Sequence, residues 1–282
     1  MKKAFVVGHP IKHSRSPLIH GYWLKKYGIE GSYERIDVAP VNFGNFLKSF
    51  HEEGSVGGNV TIPHKEAAFA GVARRTGRAE RLKAVNTLWV ENGEVWGDNT
   101  DVLGFMANLD QSLGIGWEQD VDTALVLGAG GAARGIVAGL QERPLKRIVV
   151  VNRTIAKAED LVRDLQGYST VALETLGFDD LDRVLGQSQL IVNTTSLGMA
   201  GQPPLPIDLA KAPRDAIVSD IVYVPLKTPL LAAAEAHGLR IVDGLGMLLH
   251  QAVPGFERWF GIRPEVTPEL RALIVADLGK TA

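Results

Sequence analysis

Thr123-Ala124-Leu125-Val126-Leu127-Gly128-Ala129-Gly130-Gly131-Ala132-Ala133 decides the fold. Residues 123–127 form an apolar run short enough for a buried strand, and residues 132–141 carry a helical pattern. Between them, Gly128-x-Gly130-x-x-Ala133 fits the turn that holds a dinucleotide's pyrophosphate. The first glycine permits the tight turn, the second admits the phosphates, and small Ala133 lets helix and strand pack closely. Gly131 and Ala132 open the helix, whose first N–H groups are free to bind an anion. Such turns also arise from packing alone. A further strand at residues 147–151 completes the unit and favours the dinucleotide.

That next strand bears on which dinucleotide binds. Where NAD binds, an Asp or Glu at its end commonly bonds the ribose 2′-hydroxyl. Here the chain reads Val151-Asn152-Arg153-Thr154, with Lys157 beyond. No carboxylate stands there to repel a 2′-phosphate, and a guanidinium pairs with phosphate bidentately. Solvated surface cations are the plainer alternative; the pattern favours NADP.

Outward from this turn, the second half continues as helix 155–165, strands 190–193 and 216–220, helix 229–237, strand 240–242, and helices 244–260 and 268–278. The first half also alternates. Strands are expected at 4–7, 32–38 and 56–62, and helices at 16–28 and 41–53. A hairpin is expected around Asn92-Gly93, and a helix at 102–113. The fold class is therefore α/β with a parallel sheet in each half. The polar segment 114–122, or the helix before it, holds the junction. This gives a substrate domain at 1–113, a dinucleotide domain at 114–243 and C-terminal helices at 244–282.

A net charge of −2 gives no field for gathering nucleic acid, and the absence of cysteine excludes disulfides and thiolate metal sites. The N-terminal apolar run is too short for a signal peptide or a membrane span. The expected protein is cytoplasmic, with a small-molecule partner and no nucleic acid, membrane or metal. It is expected as a monomer or homodimer.

In the first half, Asn59-Val60-Thr61-Ile62-Pro63-His64-Lys65 reads as a strand that Pro63 stops. Val60 and Ile62 would face one way, and Asn59 and Thr61 the other. Ser14 and Ser16 flank a helix start suited to a carboxylate, although N-capping alone would account for Ser16. Asn86 could be a turn former and Asp101 a helix-start residue. If Lys65 and Asp101 meet, the carboxylate positions an amine able to exchange a proton with a hydroxyl; a structural salt bridge is the competitor. His9 and His13 share no helix on which to hold a metal. Arg74, Arg75, Arg78, Arg81 and Lys83 read as a solvated helix face.

Together these residues resemble the shikimate dehydrogenase family. The motifs are Gly8-x-Pro10-x-x-His13-Ser14-x-Ser16-Pro17-x-x-His20, Asn59-Val60-Thr61-x-Pro63-x-Lys65, Ala84-Val85-Asn86-Thr87 and Asn99-Thr100-Asp101-x-x-Gly104. The fingerprint from Gly128, Asn152-Arg153-Thr154, Asn193-Thr194-Thr195 and Asp243-Gly244-x-Gly246-Met247-Leu248-x-x-Gln251 follow in order. The resemblance implies NADP-dependent reduction of 3-dehydroshikimate to shikimate, on the route to chorismate and the aromatic amino acids. It implies Lys65 and Asp101 as the catalytic pair, with Ser14 and Ser16 on the substrate carboxylate. Asn59, Thr61, Asn86 and Gln251 would bind ring hydroxyls, with Tyr223 near the substrate. Arg153, Thr154 and Lys157 would surround the adenosine phosphate, Thr194 and Ile221 the middle of the cofactor, and Gly244 and Met247 its nicotinamide end. The C-terminal helices would return to the first domain. A quinate/shikimate dehydrogenase using NAD and a non-catalytic binding protein remain as alternatives. Gly21 and Lys83 depart from the family pattern, which favours Asn and Gly there.

Overall fold

The computed structural model describes residues 1–280. It comprises two units, residues 1–101 with 249–280, and Val102–Leu248. The first unit runs β1 (Lys2–Gly8), α1 (Ser16–Lys26), β2 (Gly31–Asp37), α2 (Phe43–Ser49), β3 (Ser55–Val60), α3 (Lys65–Gly71), β4 (Arg74–Arg75), α4 (Gly77–Leu82), β5 (Thr87–Glu91) and β6 (Glu94–Asp98). Its sheet has the order β2-β1-β3-β5-β6-β4. Apolar β1 lies between β2 and β3, parallel to both. The parallel pattern stops there, because β5 pairs antiparallel with β3 and with β6. Asn92 and Gly93 join β5 to β6 with φ of 53° and 78°, the left-handed pair that a tight hairpin requires.

Three expectations are corrected here. First, β3 ends at Val60 rather than at 62: the His64 N–H bonds back to the Thr61 carbonyl at 2.9 Å and turns the chain. Ile62 is therefore 74% exposed instead of facing the core with Val60. Second, the helix expected at 41–53 is the shorter α2, preceded by a 3-10 turn at Pro40–Asn42. Third, the basic run is no single solvated helix face. Arg74 and Arg75 lie in β4, Arg74 pairs with Glu94, and Arg78 pairs with Asp98 at 2.6 Å. Lys83, where the family favours glycine, caps α4 with φ +53°, a conformation glycine adopts without steric cost.

The second unit opens with α5 (Asp101–Leu113), whose first residue belongs to the first unit. It runs β7 (Thr123–Leu127), α6 (Gly131–Leu140), β8 (Arg147–Val151), α7 (Ile155–Leu165), β9 (Ala172–Leu176), α8 (Leu181–Leu185), β10 (Leu190–Asn193), β11 (Ile217–Asp220), α9 (Pro229–Ala236) and β12 (Arg240–Val242). All six strands are parallel in the order β12-β11-β10-β7-β8-β9. This is the Rossmann-type arrangement, and its order reverses between β7 and β10. Leu125, Val149, Ile191 and Val218 in the central strands are all buried, as a sheet covered on both faces requires.

The chain then forms α10 (Leu245–Phe260) and α11 (Pro268–Leu278). From Leu249 onward these helices belong to the first unit. Trp259 Nε1 donates to the Leu88 carbonyl of β5 at 2.8 Å, and Trp23 Nε1 of α1 donates to the Glu265 carbonyl at 3.0 Å. An aromatic cluster fills the interior, where His20 stacks on Tyr33 at 4.0 Å and lies edge-on to Trp23 at 5.6 Å. Phe256 and Trp259 from α10 complete it.

Trp259 is 2% exposed and ties the returning helix to the sheet. Trp259→Ala is expected to cost about 3–5 kcal/mol, read by urea denaturation.

Burial pushes the His20 imidazole down to about 3, against a weaker upward pull from Asn59. In the unfolded chain the ring protonates below about 6.5, so acidification between these values favours unfolding by up to about 1.4 kcal/mol per pH unit. Stability from neutral His20 is thus present above the unfolded value and lost as pH falls towards the folded one. His20→Phe is expected to flatten the pH dependence of the unfolding free energy by that slope across the window. An unchanged slope in stepped-pH denaturation would contradict a neutral, buried ring.

Candidate active site

In the first unit, the turn after β3 leads directly to Lys65 as the first residue of α3. His64 fixes that start, with its ring stacked on Phe43 at 4.3 Å and Nε2 placed 2.7 Å from the Val38 carbonyl. Lys65 Nζ then donates to Asp101 Oδ2 at 2.6 Å. Asn86 Nδ2 donates to the other oxygen, Oδ1, at 2.8 Å. The Asp101 N–H is held by Asn99 Oδ1 at 3.1 Å. Side-chain exposures of 30% for Lys65 and 25% for Asp101 leave the pair open to a ligand. With one N–H on Asp101, the ammonium has other N–H donors for an oxygen acceptor. The arrangement suits proton exchange at a hydroxyl or carbonyl oxygen.

Ser16 is buried at the start of α1, but the N-cap is Arg15, and no side chain caps the helix there. The capping explanation for Ser16 therefore does not hold. Its N–H instead bonds Ser14 Oγ at 3.4 Å, while Arg35 clamps the Ser14 carbonyl at 2.9 and 2.5 Å. Thr61 stands half-buried where the chain leaves β3, its N–H on the Val7 carbonyl. Asn59 is buried with its amide engaged internally: Oδ1 accepts from Tyr33 at 2.6 Å, and Nδ2 donates to the Asn86 carbonyl and Thr87 Oγ1. Gln251, in α10, accepts at its carbonyl from Thr100 Oγ1 at 2.9 Å. Tyr223 lies in the second unit, in the segment after β11.

In the second unit, Gly128 has φ +111°, and a Cβ there would meet Thr194 Oγ1 at 2.5 Å. Thr194 Oγ1 bonds the Leu127 carbonyl at 2.7 Å, joining the loops after β7 and β10 where the strand order reverses. Gly130 and Gly131 are exposed at the α6 N-terminus with open space about them, while Ala132 is partly and Ala133 fully buried. The Asn152 amide turns in to the Thr154 carbonyl at 2.8 Å. Arg153, Thr154 and Lys157 are exposed, and neither cation has an ion-pair partner among the described residues. The turn, helix terminus and two cations suit a dinucleotide bearing a ribose phosphate. Gly244 packs so closely that a Cβ would lie 2.3 Å from the Ile221 carbonyl, and Met247 follows in the first turn of α10.

Two carboxylates given no role in the sequence reading, Asp98 and Asp220, each organise a cluster. Asp98 accepts from Thr76 Oγ1 at 2.5 Å, Arg78 at 2.6 Å and the Asn99 N–H at 2.7 Å, bracing the loop that delivers Asp101. Asp220, fully buried at the end of β11, accepts from Thr228 Oγ1, Asn193 Nδ2 and the Val222 N–H. Burial raises its pKa, and these three donors pull the other way. Its only sequence signal was a carboxylate at the end of an apolar strand, which is also what an exposed loop residue looks like. Among the described residues no group of acidic, His or Cys side chains could hold a metal ion, and no helix is long and apolar enough to cross a membrane.

Comparison with known proteins gives three consecutive family matches. Residues 6–88 match the shikimate dehydrogenase substrate binding domain, 115–201 the shikimate/quinate 5-dehydrogenase model, and 244–273 the shikimate 5′-dehydrogenase C-terminal domain. A shikimate dehydrogenase (NADP(+)) of Methylobacterium radiotolerans is 61% identical, covering 98% of this chain and 97% of its own. One from Mesorhizobium japonicum is 59% identical, with coverage of 98% and 97%. The Thermus thermophilus shikimate 5-dehydrogenase, solved with NADP(H) and shikimate, superposes with a TM-score of 0.85 at 33% identity, covering 100% of both chains. Quinate dehydrogenase from Corynebacterium glutamicum, solved with NAD, gives 0.89 at 26% identity, covering 98% of this chain and 100% of its own. With these matches along its whole length, the chain belongs to the shikimate dehydrogenase family.

Proposed function

We propose that the protein is an NADP-dependent shikimate dehydrogenase, interconverting 3-dehydroshikimate and shikimate. The observation that carries this reading is one carboxylate, Asp101, held between the Lys65 ammonium and the Asn86 amide in a chain of this family. Bound NADP(H) supplies or accepts the hydride. Lys65 gives a proton to the oxygen left as the carbonyl is reduced and takes it back in the reverse direction. Asp101 keeps the ammonium oriented, and Asn86 keeps Asp101 in place.

Ser14 and Ser16 receive the substrate carboxylate, and Thr61, Asn86 and Gln251 its hydroxyls. Asn59 serves as an internal brace, since its donors and acceptor are already engaged. Gly128, Gly130, Gly131 and the α6 terminus hold the pyrophosphate, and Arg153, Thr154 and Lys157 the adenosine phosphate. Thr194 and Ile221 flank the middle of the cofactor, and Gly244 and Met247 its nicotinamide end. The structural likeness to an NAD-bound quinate dehydrogenase supports a second reading. The unpaired Arg153 favours NADP over it.

An oxidation assay crossing shikimate and quinate with NADP and NAD is expected to give the highest kcat/KM with shikimate and NADP. A protein that binds shikimate without reducing either cofactor would defeat the enzyme reading. Lys65→Ala is expected to lower kcat by roughly a hundredfold or more; near-wild-type turnover would remove Lys65 from its role. Arg153→Ala is expected to raise the KM for NADP by about tenfold or more while leaving that for NAD nearly unchanged, because only the phosphate meets the guanidinium. Equal losses with both cofactors would sink the phosphate assignment.

A further inference from the structure

We propose that Thr87 is a positioning residue, whose single hydroxyl proton sets the hydrogen bonds of both Asn86 and Gln251. The inference rests on the substrate roles proposed for those two residues. Thr87 is the first residue of β5, 2% exposed and enclosed by polar groups of the first unit.

Each group in this network has a fixed number of donors and acceptors. At the far end, the Tyr33 hydroxyl donates to Asn59 Oδ1 at 2.6 Å. Burial raises the Tyr33 pKa well above its usual value, so this group keeps its proton and acts as a constant donor. With Oδ1 occupied in this way, Asn59 turns its NH2 to the Asn86 carbonyl and to Thr87 Oγ1, each at 3.2 Å. Thr87 is therefore an acceptor from Asn59 and has one proton to place. It lies 2.8 Å from Asn86 Oδ1 and 3.1 Å from Thr100 Oγ1. The shorter bond goes to Asn86.

Thr100 also has one proton and two carbonyl acceptors within reach. Its Oγ1 is 2.9 Å from the Gln251 carbonyl and 3.2 Å from Asn86 Oδ1. Because Thr87 and the Thr100 N–H (2.8 Å) already supply Asn86 Oδ1, the Thr100 proton is free for Gln251. Every proton then has one destination. Asn86 is held with its oxygen inward and its NH2 on Asp101, and the α10 backbone is held at Gln251. Without the Thr87 hydroxyl, Asn86 Oδ1 keeps only the Thr100 N–H and competes with the Gln251 carbonyl for the Thr100 hydroxyl proton. A single loss at Thr87 thus loosens two residues that Thr87 places but that it does not replace at the ligand.

The test compares Thr87→Val, which keeps the shape without the hydroxyl, with Thr87→Ser, which keeps the hydroxyl. In steady-state oxidation, T87V is expected to raise the KM for shikimate about tenfold, the scale of one buried hydrogen bond, and lower kcat several-fold. The KM for NADP is expected to stay within about twofold, and T87S to lie near wild type on all three constants. A purely structural role would lower thermal stability and the active fraction while leaving both KM values alone. Should T87V fail to fold, Thr87→Ala removes the same hydroxyl without the added methyl and is expected to raise the shikimate KM about tenfold as well.

A wild-type shikimate KM in T87V, or in T87A where T87V does not fold, overturns the proposal. So does a T87S variant as impaired as T87V, or an equal rise in both KM values. Wild-type protein with no shikimate oxidation brings down the proposed activity as well. Active wild type with an unaffected T87V brings down the Thr87 assignment alone.

Discussion

A buried amide must have every donor and acceptor engaged, and in this protein that constraint converges on Asn86. Its side chain is 2% exposed, its oxygen faces donors from two strand ends, and its nitrogen faces Asp101. Leaving one such group unpaired in a low-dielectric interior costs about 1–3 kcal/mol, comparable with a sizeable part of a domain's stability. The chain therefore cannot shift β3, β5 or the Asn99–Asp101 loop independently. Their register and the placement of the Lys65–Asp101 pair are a single structural condition. The mostly apolar layers around it make the sheet, whereas this small polar group fixes where the Lys65–Asp101 pair stands.

The second unit solves its positioning problem in a similar way with different residues. Asp220 is buried at a strand end, and the raised pKa indicates that its desolvation is not fully offset by its three donors. Those donors come from the end of β10, from the loop after β11 and from the cap of α9. Thr194 ties the neighbouring loop to β7. Gly130 and Gly131 stand in open space, and these internal bonds tie the neighbouring loops to the sheet.

Much of this was legible before any coordinates. The apolar strands 123–127, 147–151, 190–193 and 240–242 stand where their composition placed them, because a strand buried on both faces has few other uses. The Asn92-Gly93 hairpin was equally clear, since that dipeptide suits a backbone few others tolerate. Edge elements were not legible: β9, of Ala172–Leu176, is half exposed and pairs with β8 alone, so its sequence is under weak constraint. At the site, the residue types of Lys65, Asp101, Asn86, Ser14 and Ser16 pointed to chemistry. The meeting of Lys65, Asp101 and Asn86 was not encoded in spacing. Lys65 and Asp101 are joined through sheet register, and Gln251 reaches the same unit only by a late return of the chain. Thr87 and Thr100 stood in the quoted motifs without a role, because a threonine beside a strand is ordinarily read as β-propensity.

The first unit is built from the two ends of the polypeptide, while Val102–Leu248 is continuous. At typical translation rates, Leu249 is made roughly 7–30 s after Asp101. During that interval the N-terminal strands have no Phe256 or Trp259 to cover His20 and Tyr33, and no Gln251 to take the Thr100 proton. The later half can close on itself first. The first unit is thus begun before the second and completed after it.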